Sequence, residues 1–158
     1  MKIAVLAGGY SPEREVSLSS GSLIANALME SGHSVALADV YTGTEKTPDE
    51  LFKKDGNYKY DIPENPPDLS ELKEKTGMGN RLVGDGINEL IKEADIVFLA
   101  MHGGMGENGQ LQAYLDCLGI KYTGSGYAAC LTAMDKNISK IIFRAENIPT
   151  ADWIYTDT

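Results

Sequence analysis

Three glycine-containing segments hold the side chains of this sequence that could do chemistry. In the first, residues 7–18, two acids, a base and several hydroxyls stand between an apolar run and a helical pattern. A carboxylate such as that of Glu13 on a rigid turn can bind a substrate ammonium, and free backbone N–H groups there can hold carboxylate or phosphate oxygens. This chemistry would suit an amino-acid substrate.

A structural interpretation of the first segment competes with the functional one. Glu13 and Glu15 are favourable at the positive end of a helix. Ser11 or Ser17 would then cap that helix, and the glycines would make the turn. Gly8-Gly9 lacks the third glycine of the dinucleotide-binding fingerprint, so the segment does not indicate NAD. The residues alone favour the structural interpretation slightly.

The second segment, residues 102–109, begins with a histidine directly after the most apolar run of the chain. A lone histidine at a strand end is more often a hydrogen-bonding group than a catalyst. Four glycines among these eight residues remove side chains around His102, which favours close approach of a ligand to backbone and imidazole. The two interpretations are evenly balanced. Metal binding is disfavoured, because neither His33 nor a cysteine has a ligand-like spacing from His102.

The third segment, residues 122–126, precedes a short charged stretch. Its structural interpretation is simple, since Asp135 would cap a helix on which Lys136 and Lys140 are solvated charges one turn apart. Taken by itself, this segment indicates no function.

The surrounding pattern predicts strands that alternate with helices. The predicted strands are residues 2–7, 34–40, 95–101 and 120–123, with another beginning at 153–155, and the predicted helices are residues 16–31, 68–75, 85–94, 111–118, 127–134 and 135–146. Such alternation is typical of an α/β fold with a doubly wound, mostly parallel, Rossmann-like sheet. Ligands of these sheets bind beyond the carboxyl ends of the strands, where all three segments are expected.

Composition limits the classes of function. The chain of 158 residues is 42% hydrophobic and 23% charged, which is ordinary for one globular unit. A formal net charge of −9 argues against a nucleic-acid partner, because binding to phosphate backbones needs clustered Lys and Arg. No apolar run is long enough for a membrane span or a signal-peptide core, so a cytoplasmic protein without a membrane partner is expected. The two cysteines are expected to be buried reduced thiols.

Residues 41–84 differ from the rest of the chain. They are polar and contain four of its six prolines, which predicts an insertion that carries little of the core and has no assignable function.

Taken in this order, the three segments resemble the D-alanine-D-alanine ligases of the ATP-grasp superfamily. The matching residues are Gly8-Gly9, Ser11, Glu13 to Leu18, His102-Gly103, Gly106-Glu107, Gly109, Gln112, Tyr122 to Gly126, Met134 to Lys136 and Ile148 to Thr150. The resemblance covers nearly the whole chain outside residues 41–84. It implies a pre-ATP-grasp substrate-binding domain over residues 1–131, followed at 132–158 by the start of a central ATP-grasp lobe.

The resemblance also implies an activity and residue roles. ATP would phosphorylate the carboxylate of one D-alanine, and the amine of a second would attack the acyl phosphate, giving the dipeptide for peptidoglycan precursors. Glu13 would act in catalysis by binding the ammonium of the first D-alanine, with Val16 beside its methyl and His102 near the same substrate. Lys136 would reach ATP phosphates. The family further implies Mg²⁺ and a homodimer, while no metal ligand is assigned to this chain.

Most ATP contacts, the magnesium acids and an oxyanion-binding arginine belong to lobes of the family that this sequence does not contain. An amino-terminal fragment, inactive alone, is therefore expected. The family usually has Asp where Asn108 stands and a proline or another small residue near Ala151, but neither position has a role named above. Two alternatives stay open: a ligase whose second substrate is D-lactate or D-serine, and a non-catalytic binding module of the same fold.

Overall fold

A parallel sheet forms the centre of the protein, described here by a computed structural model over residues 1–156. Its strands are β1 (Lys2–Ala7), β2 (Ser34–Asp39) and β3 (Ile96–Leu99), in the order β2-β1-β3. Ala7 pairs with Asp39 at the carboxyl ends of β1 and β2, and Leu6 pairs with Leu99 at the carboxyl end of β3. The carboxyl ends of the three strands therefore lie level with one another, as the predicted parallel sheet requires.

The predicted fourth strand is present only as a single parallel bridge between Val97 and Tyr122. Val97 N–H donates to Lys121 O at 2.8 Å, and Thr123 N–H donates to Val97 O at 3.0 Å. Gly124 follows with a φ of +98°, which turns the chain away from the sheet. The segment thus extends the sheet by one short step beside β3.

Within the described residues 1–156, seven α-helices surround and extend this sheet. They are α1 (Arg14–Glu30), α2 (Pro48–Leu51), α3 (Leu69–Thr76), α4 (Ile87–Lys92), α5 (Gln110–Cys117), α6 (Tyr127–Met134) and α7 (Lys136–Ala145). As predicted, a glycine ends α1: Gly32 has a φ of +84° and donates its N–H to Met29 O at 2.8 Å.

Two hydrophobic clusters lie on opposite faces of the sheet. Alternate residues of β1 point to opposite sides, so that Ala4 and Leu6 join one cluster while Val5 joins the other. Helix α1 covers the second cluster, and α4 and α5 cover the first. Helices on both faces confirm the doubly wound α/β architecture.

Residues 41–84 contribute little to the core, as their polar composition predicts. Tyr41 is fully buried, and Lys53 forms an antiparallel bridge with Val35 that attaches the segment to β2. Tyr58 and Tyr60 pack against the cluster beneath α1. The expectation of little core is therefore confirmed, since Tyr41 and Met78 are the buried hydrophobic residues of this segment and its other apolar side chains are partly buried or exposed.

The last described part of the chain packs differently from the rest. Helix α7 exposes Ile138, Ile141, Ile142 and Phe143 by 40–52%. Residues 153–155 do not form the predicted strand, because they lie along α7 rather than beside another strand, and Ile154 is 90% exposed. Trp153 donates its indole N–H to Asn137 at 2.8 Å. The division of the chain at residue 131 stays a prediction.

None of the helices within residues 1–156 is both long enough and apolar enough to cross a membrane.

Candidate functional site

The turns that follow β1 and β3 meet at the amino-terminal end of α1. Gly103 has a φ of +68°, and a Cβ added there would stand 2.5 Å from Ser11 Oγ and 2.9 Å from Glu13 Oε2. The carboxylate of Glu13 therefore lies against the turn that begins at His102. The glycine is required for this approach, since any side chain would displace Ser11 or Glu13.

Glu13 is exposed to solvent at the amino terminus of α1. It is the N-cap residue, and its own N–H donates to Ser11 Oγ at 3.2 Å. The N-terminal dipole end of α1 favours the charged carboxylate at this position. An exposed carboxylate on a fixed turn can accept hydrogen bonds from a small cationic group such as an amino acid's ammonium.

Neither serine of the turn caps the helix, so that part of the structural interpretation was wrong. Ser11 stands two residues before the N-cap and bonds the backbone of Glu13 within its own turn. Ser17 lies in the second turn of α1 and is fully buried. Its hydroxyl accepts the Gly8 N–H at 2.8 Å and donates to Ala100 O at 2.9 Å. Ser17 therefore joins the ends of β1 and β3.

His102 extends along α1 rather than into the core. The ring is half-buried, and Nε2 lies 3.3 Å from Ser20 Oγ. Val16, which is 46% exposed, stands one helical turn before Ser20 on the same face of α1. The structure thus brings Glu13, Val16 and His102 to the amino-terminal half of one helix. Their roles toward a substrate stay predictions.

A network that sequence reasoning missed lies beneath the Glu13 turn. Asp39, the last residue of β2, accepts the N–H groups of Gly9 and Tyr41, each at 2.9 Å. Arg14 forms an ion pair with Asp39 and another with Glu15 at 3.0 Å. The sequence offered one signal for this network. Asp39 is an acid at the end of predicted strand β2, and the neighbouring strand β1 leads into the Glu13 turn.

The network reaches into residues 41–84 through Tyr60, whose hydroxyl donates to Glu15. Burial, and then this hydrogen bond to a carboxylate, raise the pKa of Tyr60 above its ordinary value of 10.0. Tyr60 is therefore a stable hydrogen-bond donor at neutral pH.

Lys136 lies on a different surface. It is the first residue of α7, and Asp135 caps that helix as predicted by accepting the N–H of Ile138 at 2.9 Å. Lys136 lines an open groove of about 720 Å³ between α6 and α7, whose walls combine Ala, Ile and Phe side chains with Thr, Ser and Lys side chains. Lys140 is not the free solvated charge that was expected, because its ammonium donates to Ala151 O at 2.8 Å.

No group of three or more His, Cys, Asp or Glu side chains within residues 1–156 is arranged to hold a metal ion. Cys117 is exposed and Cys130 is half-buried, and both are free thiols, so the expectation that both would be buried was wrong.

Comparison with known proteins identifies relatives over nearly all of the chain. A family model described as the amino terminus of D-ala D-ala ligase matches residues 2–125. The D-alanine–D-alanine ligase of Pediococcus pentosaceus is 46% identical over 161 residues, which cover 97% of this chain and 45% of the relative. That of Lacticaseibacillus casei is 41% identical over 157 residues, covering 96% of this chain and 44% of the relative.

Solved structures agree. The D-alanine–D-alanine ligase of Bacillus anthracis, determined in complex with ATP, is 31% identical and superimposes with a TM-score of 0.62 over 98% of this chain and 40% of its own. The Coxiella burnetii ligase, 24% identical with a TM-score of 0.63, supports the fold. The chain spans less than half the length of these relatives.

Proposed function

The chain belongs to the D-alanine-D-alanine ligase amino-terminal family, and on that premise we propose that it is the substrate-binding part of an ATP-dependent ligase that joins two D-alanines. The observation that carries the proposal is the placement of the Glu13 carboxylate. It is exposed at the N-cap of α1 and lies against the His102 turn, where the carboxyl ends of β1 and β3 meet. This is the edge at which parallel sheets bind their ligands.

The site suits a small zwitterionic substrate. Glu13 would pair with the ammonium of the first D-alanine, a charge-assisted interaction that orients as well as binds. Val16 offers exposed apolar surface one turn along α1 and would lie beside the methyl group. His102, held by Ser20, would face the same substrate from the opposite turn.

ATP would supply the phosphoryl group that activates the first D-alanine as an acyl phosphate. Lys136 fits a phosphate contact, since its ammonium is exposed at the mouth of the groove beside α7. Magnesium does not fit the residues described here, because they contain no cluster of acids that could hold it. We therefore assign this chain the binding and orientation of the first substrate, with Lys136 as its contribution to nucleotide binding.

The proposal includes a homodimer in the cytoplasm as the setting of the reaction, by analogy with the family. It also takes D-alanine, rather than D-lactate or D-serine, as the second substrate. That choice is supported by the names of the relatives described above, which are D-alanine–D-alanine ligases.

The test is the variant Glu13→Gln in a complete ligase that carries this chain. A hydrogen bond to a charged group is worth about 1.5–3 kcal/mol, so kcat/KM for the first D-alanine should fall by about tenfold to a few hundredfold. The KM for ATP should not change. Steady-state ADP release at varied D-alanine gives these values, and parallel runs with D-lactate and D-serine identify the second substrate.

The matched control is Glu30→Gln, which removes an exposed carboxylate from the other end of α1. It should leave both constants at their wild-type values. Unchanged D-alanine kinetics in Glu13→Gln would remove Glu13 from the site.

A further inference from the structure

The polar network beneath the Glu13 turn connects three separate parts of the chain. Arg14 joins Asp39 at the end of β2 to Glu15 in the first turn of α1, and Glu15 is joined to Tyr60. The side chains of Arg14, Glu15 and Asp39 are only 9–13% exposed. Charges this poorly solvated persist because each has a partner of opposite sign or a hydrogen-bond donor.

Asp39 holds the turn from below. One carboxylate oxygen accepts two backbone N–H groups, one of them from Gly9, while the other oxygen meets Arg14. A Cβ added at Gly8 would overlap the same carboxylate, so Asp39 occupies the space that a side chain at residue 8 would need. The backbone between β1 and α1 is thereby pinned at Gly9 and again at Arg14.

Glu13 lies between these two pinned positions. Adjacent residues point to opposite sides here, so Arg14 is drawn inward to Asp39 while Glu13 remains exposed against Gly103. If Arg14 moved, the N-cap residue directly before it would move as well. The direction of the Glu13 carboxylate therefore depends on contacts that Glu13 itself does not make.

We propose that Asp39 and Tyr60 are positioning residues that fix the Glu13 carboxylate through Arg14 and Glu15. This inference rests on the proposed function of Glu13. It gives residues 41–84 a task, since they deliver Tyr60 to the amino terminus of α1. Through Tyr60 the segment completes the network at Glu15.

Kinetics of the complete ligase test the proposal. Tyr60→Phe removes one hydroxyl and no carbon, and should raise the KM for the first D-alanine at least about threefold, within the roughly hundredfold that a slightly misplaced group can cost. Because Glu13 binds the substrate equally in the ground and transition states, kcat and the KM for ATP should stay at wild-type values. Asp39→Asn should act in the same direction and more strongly, whereas Asp39→Glu, which retains the charge, should restore part of the loss.

A double-mutant cycle separates positioning from a general structural role. If Tyr60 acts through Glu13, then Tyr60→Phe should have no further effect on D-alanine kinetics in the Glu13→Gln background. An equal loss in both backgrounds would overturn the proposal. Tyr58→Phe is the matched control, because it removes a hydroxyl from the same segment outside the network and should leave the KM unchanged.

Hydrogen exchange of this chain supplies a readout that needs no ligase activity. Tyr60→Phe should speed amide exchange in the peptide that covers residues 8–16 and leave β1 unchanged, whereas Tyr58→Phe should not. Faster exchange without ligase activity would overturn the proposed function and retain the network. Ligase activity with unaltered exchange and an unaltered KM would overturn the network alone.

Discussion

Replacing Ser17 with alanine should destabilise the fold much more than the loss of one hydroxyl suggests. Ser17 is fully buried, and its hydroxyl serves Gly8 N–H at 2.8 Å and Ala100 O at 2.9 Å. Gly8 and Ala100 are themselves buried, so neither group can turn to solvent after the change. Leaving a buried donor or acceptor unsatisfied costs about 1–3 kcal/mol. Two such groups give an expected loss of roughly 2–6 kcal/mol in the free energy of unfolding.

Ser22→Ala is the matched control on the same helix. Ser22 is also buried, but its hydroxyl donates to Leu18 O at 2.8 Å, a carbonyl that already accepts a backbone N–H within α1. Its removal leaves no orphaned group and should cost only about 1 kcal/mol, the net contribution of one hydrogen bond.

Urea denaturation followed by far-ultraviolet circular dichroism measures both variants. The slope of the transition should be unchanged, so that the difference appears in the midpoint. A Ser17→Ala loss no larger than that of Ser22→Ala would refute the reasoning, because it would show that the Gly8 N–H and Ala100 O find other partners.

Three further outcomes are expected. With saturating ATP, magnesium and D-alanine, this 158-residue chain should release ADP no faster than a protein-free control. Glu13 and Lys136 lie on separate surfaces, and residues 1–156 hold no acid cluster for magnesium. Turnover that survives repurification would contradict this expectation. Folding raises the pKa of Tyr60, so the folded chain retains a proton that the unfolded chain loses, and stability should fall as pH rises above about 10. Tyr60→Phe should flatten that decline in urea titrations at about pH 9 to 11, and identical slopes would contradict the assigned cause. Ile141→Glu should reduce binding of a hydrophobic dye and change stability by less than about 0.5 kcal/mol, because Ile141 is 52% exposed on the apolar face of α7. Unchanged dye binding would show that the dye binds to another surface.

The sheet and its helices could be predicted because their signals are local. Apolar runs followed by glycine-rich turns mark β1 and β3, and helical spacing marks α1 to within two residues of its observed start. The strand predicted at 153–155 was wrong for a reason that is not local. Trp153 carries its apolar surface into contact with Arg144, whose guanidinium lies 4.4 Å from the ring centroid, instead of pairing with a strand.

The candidate site was only partly predictable. Glu13 and His102 could be selected from their residue types and their place after strands, although their roles stay predictions. Ser17 and Asp39 could not, because the partner of Ser17 is 83 residues away and Asp39 meets Gly9 from 30 residues away. A serine inside a helix and an acid after a strand have ordinary local explanations, and only tertiary structure decides against them.

The parallel register explains why the groups that hold the Glu13 turn occur where they do. Ala7 pairs with Asp39, so the carboxylate at the end of β2 is level with the point where the chain leaves β1. On the other side, Leu6 pairs with Leu99, which brings Ala100 O level with the Gly8 N–H that shares Ser17 with it. The first residues of the turn are therefore held by hydrogen bonds to both neighbouring strands, directly to Asp39 of β2 and through Ser17 to Ala100 after β3. Glycine at position 8 makes room for one carboxylate and Gly103 makes room for another, so each glycine accommodates a side chain of a different segment as well as the positive φ of its own turn.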